Sequence, residues 1–342
     1  MRRTALRAKL KTIHNPLSKL LWPLIILALL LIVDSFLIHD FSRIYMRNGR
    51  LYGSMIDILH RGTPVMLLAI GMTLVIATAG VDLSVGAIIA ISGAIAAALL
   101  VKDVPVIFVI LASLGVSYVA GAWNGILVAY IGVQPIVATL ILMVAGRGIA
   151  QLISNGQIIT FENPRFEFIA NGSFAKLPFT ITIVVIALAA TYVMTRKTAL
   201  GLFIEAVGNN ERGSFYSGIN ARVVKTLVYA FCGLCAGVAG LIIASDIKAA
   251  DSNNAGLWLE LDAILSVVIG GTSLTGGRFN LAGSIVGALI IQTLTTTILS
   301  AGVPVEYTLV VKAIVVLAVC LLQSEQFRKA TFGRFARSGG RG

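Results

Sequence analysis

The residue in this chain that most needs a chemical explanation is a carboxylate set between two apolar stretches. Asp82 stands in Gly80-Val-Asp-Leu-Ser-Val-Gly86. A charge at membrane depth is costly, and it is found paired or on a route taken by a substrate or an ion. Asp82 and Ser84 together could also satisfy the free N–H groups where a broken helix restarts. A structural cap and a gating or pathway role are therefore both open for this pair. Asp34, Arg147 and Lys312 also fall within or near the ends of apolar runs, and the two long cations there could snorkel to an interface.

A second break, Gly270, Gly271 and then Thr-Ser-Leu-Thr-Gly276-Gly277-Arg278, has the outline of a phosphate-binding loop. It lacks the Lys-Ser/Thr pair that reaches phosphate and metal, so the chain is not expected to hydrolyse ATP itself. His14, His39 and His60 lie apart in loops or tails. Cys232 and Cys235 form a CxxC, but with Cys320 they sit in apolar runs, where the pair reads as two small residues on one helix face. No catalytic residue and no metal site are expected. A path for a polar, uncharged cargo would need amides and an aromatic, which Trp123, Asn124, Gln134, Gln151, Asn253, Asn254, Trp258 and Glu260 could supply. The same types have ordinary uses, as Trp anchors at the membrane interface and Asn bonds between helices.

The elements that must hold these residues are membrane spans. Of 342 residues 57% are hydrophobic and 12% charged, about half the charged share of a soluble domain. Runs of ~20 apolar residues cross a bilayer. The fold expected is an all-α polytopic bundle of about ten spans, at 17–38, 64–79, 84–101, 105–130, 135–153, 179–195, 223–245, 263–275, 281–301 and 305–322. The second and eighth are short and end in glycine-rich breaks, so the number could fall to eight. The run 20–38 is too long for a signal-peptide core and is expected to remain as the first span.

The net charge of +12 follows from topology rather than from nucleic-acid binding. Arg2, Arg3, Arg7, Lys9, Lys11 and Lys19 precede the first span, and Arg328, Lys329, Arg334, Arg337 and Arg341 follow the last. Basic flanks stay on the cytoplasmic side, which puts both tails, 1–19 and 323–342, inside and requires an even number of spans. The 155–178 and 246–262 loops, taken together richer in acids, suit the outside. Residues 39–63 run against this rule with Arg43, Arg47, Arg50 and Arg61. Strong N-terminal charge could override them, or the segment could lie along the membrane surface.

Residues 201–219 read as one helix in a cytoplasmic loop, with Leu202, Phe203, Ala206 and Val207 toward one face and Glu205, Asn209 and Arg212 toward another. It would dock a soluble partner or serve as a solvated connector. Gly121 and Gly125, Gly233 and Gly237, and Gly283 and Gly287 are each four apart, a spacing that lets helices approach closely in lipid. The breaks at 80–86 and 271–277 occupy matching places in the two halves, a weak internal repeat of the kind that points to a transporter.

These motifs resemble one family. GMTLVIATAGVDLSVGAI at 71–88, WNGILVA at 123–129, VATLILMVAGRGIAQLI at 137–153, RKTALGLFIEAVGNN at 196–210 and AGLWLELDAILSVVIGGTSLTGGRFN at 255–280 are similar to the permease subunits of bacterial ABC monosaccharide importers of the ribose, arabinose and galactose class. The likeness runs from about residue 20 to 322, and 196–208 with 255–280 bring the chain nearest to galactofuranose importer permeases. The resemblance implies a multi-pass inner-membrane permease domain at 20–322. A periplasmic sugar-binding protein, a second permease chain, related or identical, and a cytoplasmic ABC ATPase that binds the ATP and Mg would be its partners, and a monosaccharide its cargo.

By position, Glu205, Ala206, Val207, Gly208 and Asn210, followed by Arg212, match the ATPase-coupling segment within the loop 196–222. Asp82 and Ser84 match the GVDLS motif, and Gly270, Gly271, Leu274, Gly276 and Gly277 the second glycine motif. The family commonly carries Ala-Ala where this chain has Gly213 and Ser214, then Phe215 and Tyr216. A glycine there disfavours helix and implies either a shorter docking helix or a slightly different ATPase partner. The rival readings are a self-contained ion-coupled transporter, which would need Asp82 or Asp34 to titrate, and a membrane scaffold or membrane-embedded enzyme, for which there is no catalytic constellation.

Overall fold

A computed structural model of the chain describes residues 16–38, 41–47, 50–304, 307–314 and 317. Residues 1–15 of the expected tail 1–19, the expected tail 323–342 and the end of the last expected span lie outside the described residues, while residues 16–19 already belong to the first helix.

The chain is mostly helical. In order it runs through α1 (Pro16–Leu37), β1 (Tyr45–Arg47), β2 (Arg50–Tyr52), α2 (Ser54–Arg61), α3 (Thr63–Ala77), α4 (Val85–Leu100), α5 (Val106–Ile126), α6 (Pro135–Ser154), β3 (Ile159–Thr160) and α7 (Pro164–Asn171). It continues through β4 (Ser173–Phe174), β5 (Leu177–Pro178), α8 (Phe179–Arg196), α9 (Leu200–Asn209), α10 (Glu211–Tyr216), α11 (Ala221–Ile247), β6 (Ala249–Ala250), α12 (Leu259–Ile269) and α13 (Leu281–Ser300). Residues 307–314 are helical. The strands depart from the all-α expectation; among the described residues they form three short antiparallel pairs, β1 with β2, β3 with β6 and β4 with β5.

Among the described residues six helices are long and apolar enough to cross a membrane, or seven if the bent pair α2 and α3 counts as one span. Burial sorts them into layers. In α11 72% of the most apolar stretch is inside the protein, against 22% in α5, α6 and α8, so α11 is central and the others form a wall. Every residue of α3 is buried, which is why its sequence shows no polar face. The glycine pairs do what their spacing predicts. α5 and α11 cross with Gly121 against Gly233 and Gly125 against Thr226, and Gly283 and Gly287 of α13 lie on the backbone of Gly270 and Ser266.

The spans expected at 84–101 and 263–275 form helices shorter than a bilayer, α4 of 16 residues and α12 of 11, and the reason is geometric. After α3 the chain stays non-helical to Ser84, yet the Val81 carbonyl accepts from the Tyr229 hydroxyl at 3.3 Å. Tyr229 stands about 12 Å along α11 from Ala221 by helical rise, so this segment climbs into the bundle before α4 begins. Likewise, the carbonyls of Ser252 and Ala255 accept from Arg147 at 3.2 and 2.6 Å, about 18 Å along α6 from Pro135. The segment before α12 therefore dips inward. The two half-helices start against each other, where a Cβ on Gly256 would be 2.7 Å from the Gly86 carbonyl.

The arginine-rich segment forms a hairpin between β1 and β2. Its hairpin docks on the 171–178 loop, with the Leu51 N–H donating to the Lys176 carbonyl at 2.9 Å and Arg50 donating to the Asn171 carbonyl at 2.7 Å.

Candidate functional site

The loop 196–222 is two helices rather than the single one expected over 201–219. Asn210 breaks it with extended backbone, and its side chain accepts from the Gly213 N–H at 2.9 Å to cap α10. Ser214, buried, donates its hydroxyl to the Asn210 carbonyl at 2.9 Å. Gly213 and Ser214 thus serve the cap, and α10 is one short element of six residues. The packed face of α9 also differs from the expected one. Gly201, Ile204 and Val207 are buried, while Leu202 is 68% exposed. Glu205, Ala206 and Gly208 are half-buried, Asn210 and Arg212 exposed. Lys225 holds Glu211 at 2.6 Å, and Phe215 and Tyr216 stand out at 71% and 87% exposed.

Beneath α9 the two glycine breaks meet. The Gly277 N–H donates to the Ala77 carbonyl at 2.9 Å, which joins the second break to the end of α3. A Cβ on Gly208 would overlap that same Ala77 oxygen and come within 2.6 Å of the Gly277 nitrogen. Gly276 and Gly277 hold φ of 80° and 82°, a region open to glycine at no steric cost, and a Cβ on Gly276 would be 2.9 Å from the Gly208 carbonyl. Gly270 and Gly271 belong to another contact. Asn280 of α13 donates its side-chain amide to the Gly270 carbonyl at 3.3 Å, and Gly271 turns with φ 85°.

Asp82 is fully buried. One oxygen accepts from the Ser84 N–H at 2.9 Å and from its hydroxyl at 2.6 Å. The Ser84 hydroxyl in turn accepts from the Asn124 amide at 2.8 Å. Asp82 therefore closes the turn into α4 and ties it to α5; it does not reach the free N–H groups beyond Ser84, as a helix cap would. Cys232 lies against this carboxylate, and Cys232 and Cys235 both pack on Gly71, where a Cβ would come within 3.1 Å of the Cys232 Sγ and 3.3 Å of the Cys235 Cβ.

Residues 54–320 match the family described as the branched-chain amino acid transport system / permease component. The chain belongs to that family. It is 56% identical over 318 residues to the galactofuranose transporter permease protein YtfT of Escherichia coli (strain K12), covering 92% of this chain and 93% of the relative. It is 41% identical to the fructose import permease protein FruF of Bifidobacterium longum (strain NCC 2705), over 90% of this chain and 88% of that one. With the ribose import permease protein RbsC of Escherichia coli (strain K12) it shares 36% identity over 80% and 86%. No solved structure matches it.

As a permease, the chain has charges inside its bundle that must be accounted for, and both Arg147 and Lys312 are bonded within the protein. Arg147 is spent on the two carbonyls above. Lys312 pairs with Asp262 of α12 at 2.9 and 3.1 Å. Asp34 accepts from the Thr297 hydroxyl at 2.6 Å. Of the eight expected pathway residues Gln151 and Asn253 meet, and the rest do not gather with them at one site. Asn124 is in the Asp82 turn, Trp123 is 53% exposed on the wall, and Gln134 is exposed ahead of α6. Gln151 donates to Asn253 at 2.8 Å near one mouth of the bundle. Trp258 lines a cavity of about 400 Å³ with His60, Asp246, Asp262, Gln292, Thr295 and Lys312. Sequence reasoning missed that cluster. The available signals were Trp258, read as a candidate contact, and a lysine inside an apolar run whose partner lies fifty positions away.

Proposed function

We propose that this chain is the membrane-spanning permease subunit of an ATP-driven importer that brings a monosaccharide across the bacterial inner membrane, with galactofuranose the first cargo to test. The observation that carries the reading is the wedge at Gly208. A helix pair exposed on one face sits, without room for a methyl group, on the junction of both broken helices. A partner that pulls α9 must move that junction. The three relatives above are all named for sugars, which favours a sugar over an amino acid as cargo.

In this reading a cytoplasmic ATPase, which binds the ATP and Mg, grips Glu205, Ala206, Val207, Gly208, Asn210 and Arg212. Asp82, Ser84, Gly270, Gly271, Gly276 and Gly277 form the hinge regions that gate the path. A periplasmic binding protein delivers the sugar to the opposite face, and a second permease chain completes the route. Ten passes result when α4, α12 and the 305–322 segment each count as one. Ten is even, so both basic tails, 1–19 and 323–342, are cytoplasmic around a permease body at 20–322, and 196–222 shares their side.

The test is reconstitution in vesicles with an ABC ATPase, a sugar-binding protein and a second permease chain. Uptake of labelled galactose that needs ATP and ignores an uncoupler supports the proposal. Uptake that collapses with an uncoupler and survives ATP depletion overturns it in favour of an ion-coupled carrier.

A further inference from the structure

We propose that the cavity under Trp258 is a monosaccharide subsite within this chain; the inference rests on the sugar-import reading above. The cavity, of about 400 Å³, is within the range of small-molecule sites, roughly 300–1,000 Å³. It lies among α2, α3, α11, α12, α13 and the 307–314 helix, so its walls come from both halves of the chain.

Its chemistry fits a neutral polyhydroxylated ring. Trp258 offers a flat aromatic face, 46% exposed, on which the C–H face of a sugar can stack. Gln292, Thr295, Asp246 and Asp262 offer an amide, a hydroxyl and two carboxylates at the rim and walls, the groups that bind vicinal hydroxyls. The charges balance: Asp262 is held by Lys312 at 2.9 Å, and Asp246 lies 3.7 Å from His60 with Arg61 on the same wall. Such a cavity gives no net attraction to a cation or an anion, while its paired groups keep hydrogen-bonding capacity to spare. The remaining lining is apolar, from Pro64, Val65 and Ile243 among others.

Trp258 is also held in place. Its φ is 66°, a left-handed conformation that is an outlier for a bulky residue and that persists where the surroundings impose it, as at ligand clamps. From Trp258 the eleven-residue helix α12 leads to Gly270 and Gly271, where the turn begins that carries Gly276 and Gly277 onto Gly208 and its neighbour. Helix and turn thus connect this cavity to the seam under α9, so movement at the seam would shift the wall that carries Trp258.

The experiment uses the full-length chain purified with Trp22 and Trp123 replaced by Phe, leaving Trp258 as the one fluorophore, since the chain has three Trp. D-galactose, whose solutions contain the furanose ring, is titrated against L-leucine as the contrasting probe. A saturable change in Trp258 emission with galactose and none with leucine is expected. Gln292→Ala should raise the half-saturating concentration about tenfold, the loss of one well-placed hydrogen bond. In the transport assay Trp258→Ala should lose uptake and Trp258→Phe, which keeps a stacking face, should restore most of it.

A flat galactose titration, a response unchanged by Gln292→Ala, or uptake by Trp258→Ala equal to the parent overturns the subsite. The same assay separates the two levels. If the parent protein takes up sugar with ATP and the variants match it, only the subsite fails. If the parent takes up none, the sugar-import reading fails and the subsite with it.

Discussion

The Gly277 N–H donates to the Ala77 carbonyl at 2.9 Å, and Gly208 closes over that bond. The contact makes α3, the second glycine break and α9 a single mechanical junction. Each member is backbone, so no rotamer change can relieve a clash there. Gly208→Ala should therefore displace α9 from the seam while the apolar spans still insert. Coupling energies of about 1–3 kcal/mol correspond to roughly 5–150-fold in response. ATP-driven uptake should fall within that range, with normal amounts of protein in the membrane by blot. Full uptake by the variant would show that α9 does not transmit force through this contact.

Asn210 separates α9 from α10 and caps the latter. Removing an N-cap acceptor costs about 1 kcal/mol, a large share of what holds a six-residue helix. Asn210→Ala should speed hydrogen exchange at 211–216 and weaken ATPase-stimulated transport. Asn210→Asp, which keeps an acceptor for the Gly213 N–H, should leave exchange there close to that of the parent. Equal protection in the Ala variant would remove the cap from the account.

Much of the architecture is legible in the sequence, and what is not has a physical cause. The long apolar runs and the glycine pairs report lipid and close crossings directly. The half-helix α4 starts at Val85, one residue from the expected 84, because Gly80 to Ser84 interrupt the apolar run, whereas α12 starts at Leu259, four residues before the expected 263, since a buried extended segment and a buried helix share the same apolar composition. The break at Asn210 could have been read, since Asn followed by Glu211 is a good helix start, but attention falls on Gly213 as the weak helical residue. The buried face of α9 is misjudged because it is built on the small residue Gly201 with Ile204 and Val207, leaving the large Leu202 free. The Asp262–Lys312 pair joins positions that only the tertiary fold brings together.

That pair makes a separate prediction. Both side chains are largely buried, at 11% and 13% exposed. Breaking a buried pair from one side leaves an uncompensated charge and costs about 3–5 kcal/mol, whereas replacing both partners is often near neutral. Lys312→Met alone should lower the thermal midpoint of the purified protein by several degrees. Adding Asp262→Asn should recover most of the loss. Additive losses in the double variant would mean that the two groups do not act as a pair.

Asp82 separates transport by ATP from transport by ion gradient. Its oxygen accepts two hydrogen bonds from Ser84, which holds Asn124. An asparagine in its place keeps an oxygen that can accept both bonds, but it cannot carry or exchange a proton. If the residue is the closing element of a turn, Asp82→Asn should keep uptake within a few-fold of the parent. Asp82→Ala and Ser84→Ala, which leave buried donors unmet at about 1–3 kcal/mol each, should lower the thermal midpoint and uptake together. Under ion coupling the order reverses: Asp82→Asn abolishes uptake with stability intact. Measuring uptake and thermal midpoint for the three variants side by side decides between a turn and a titrating site.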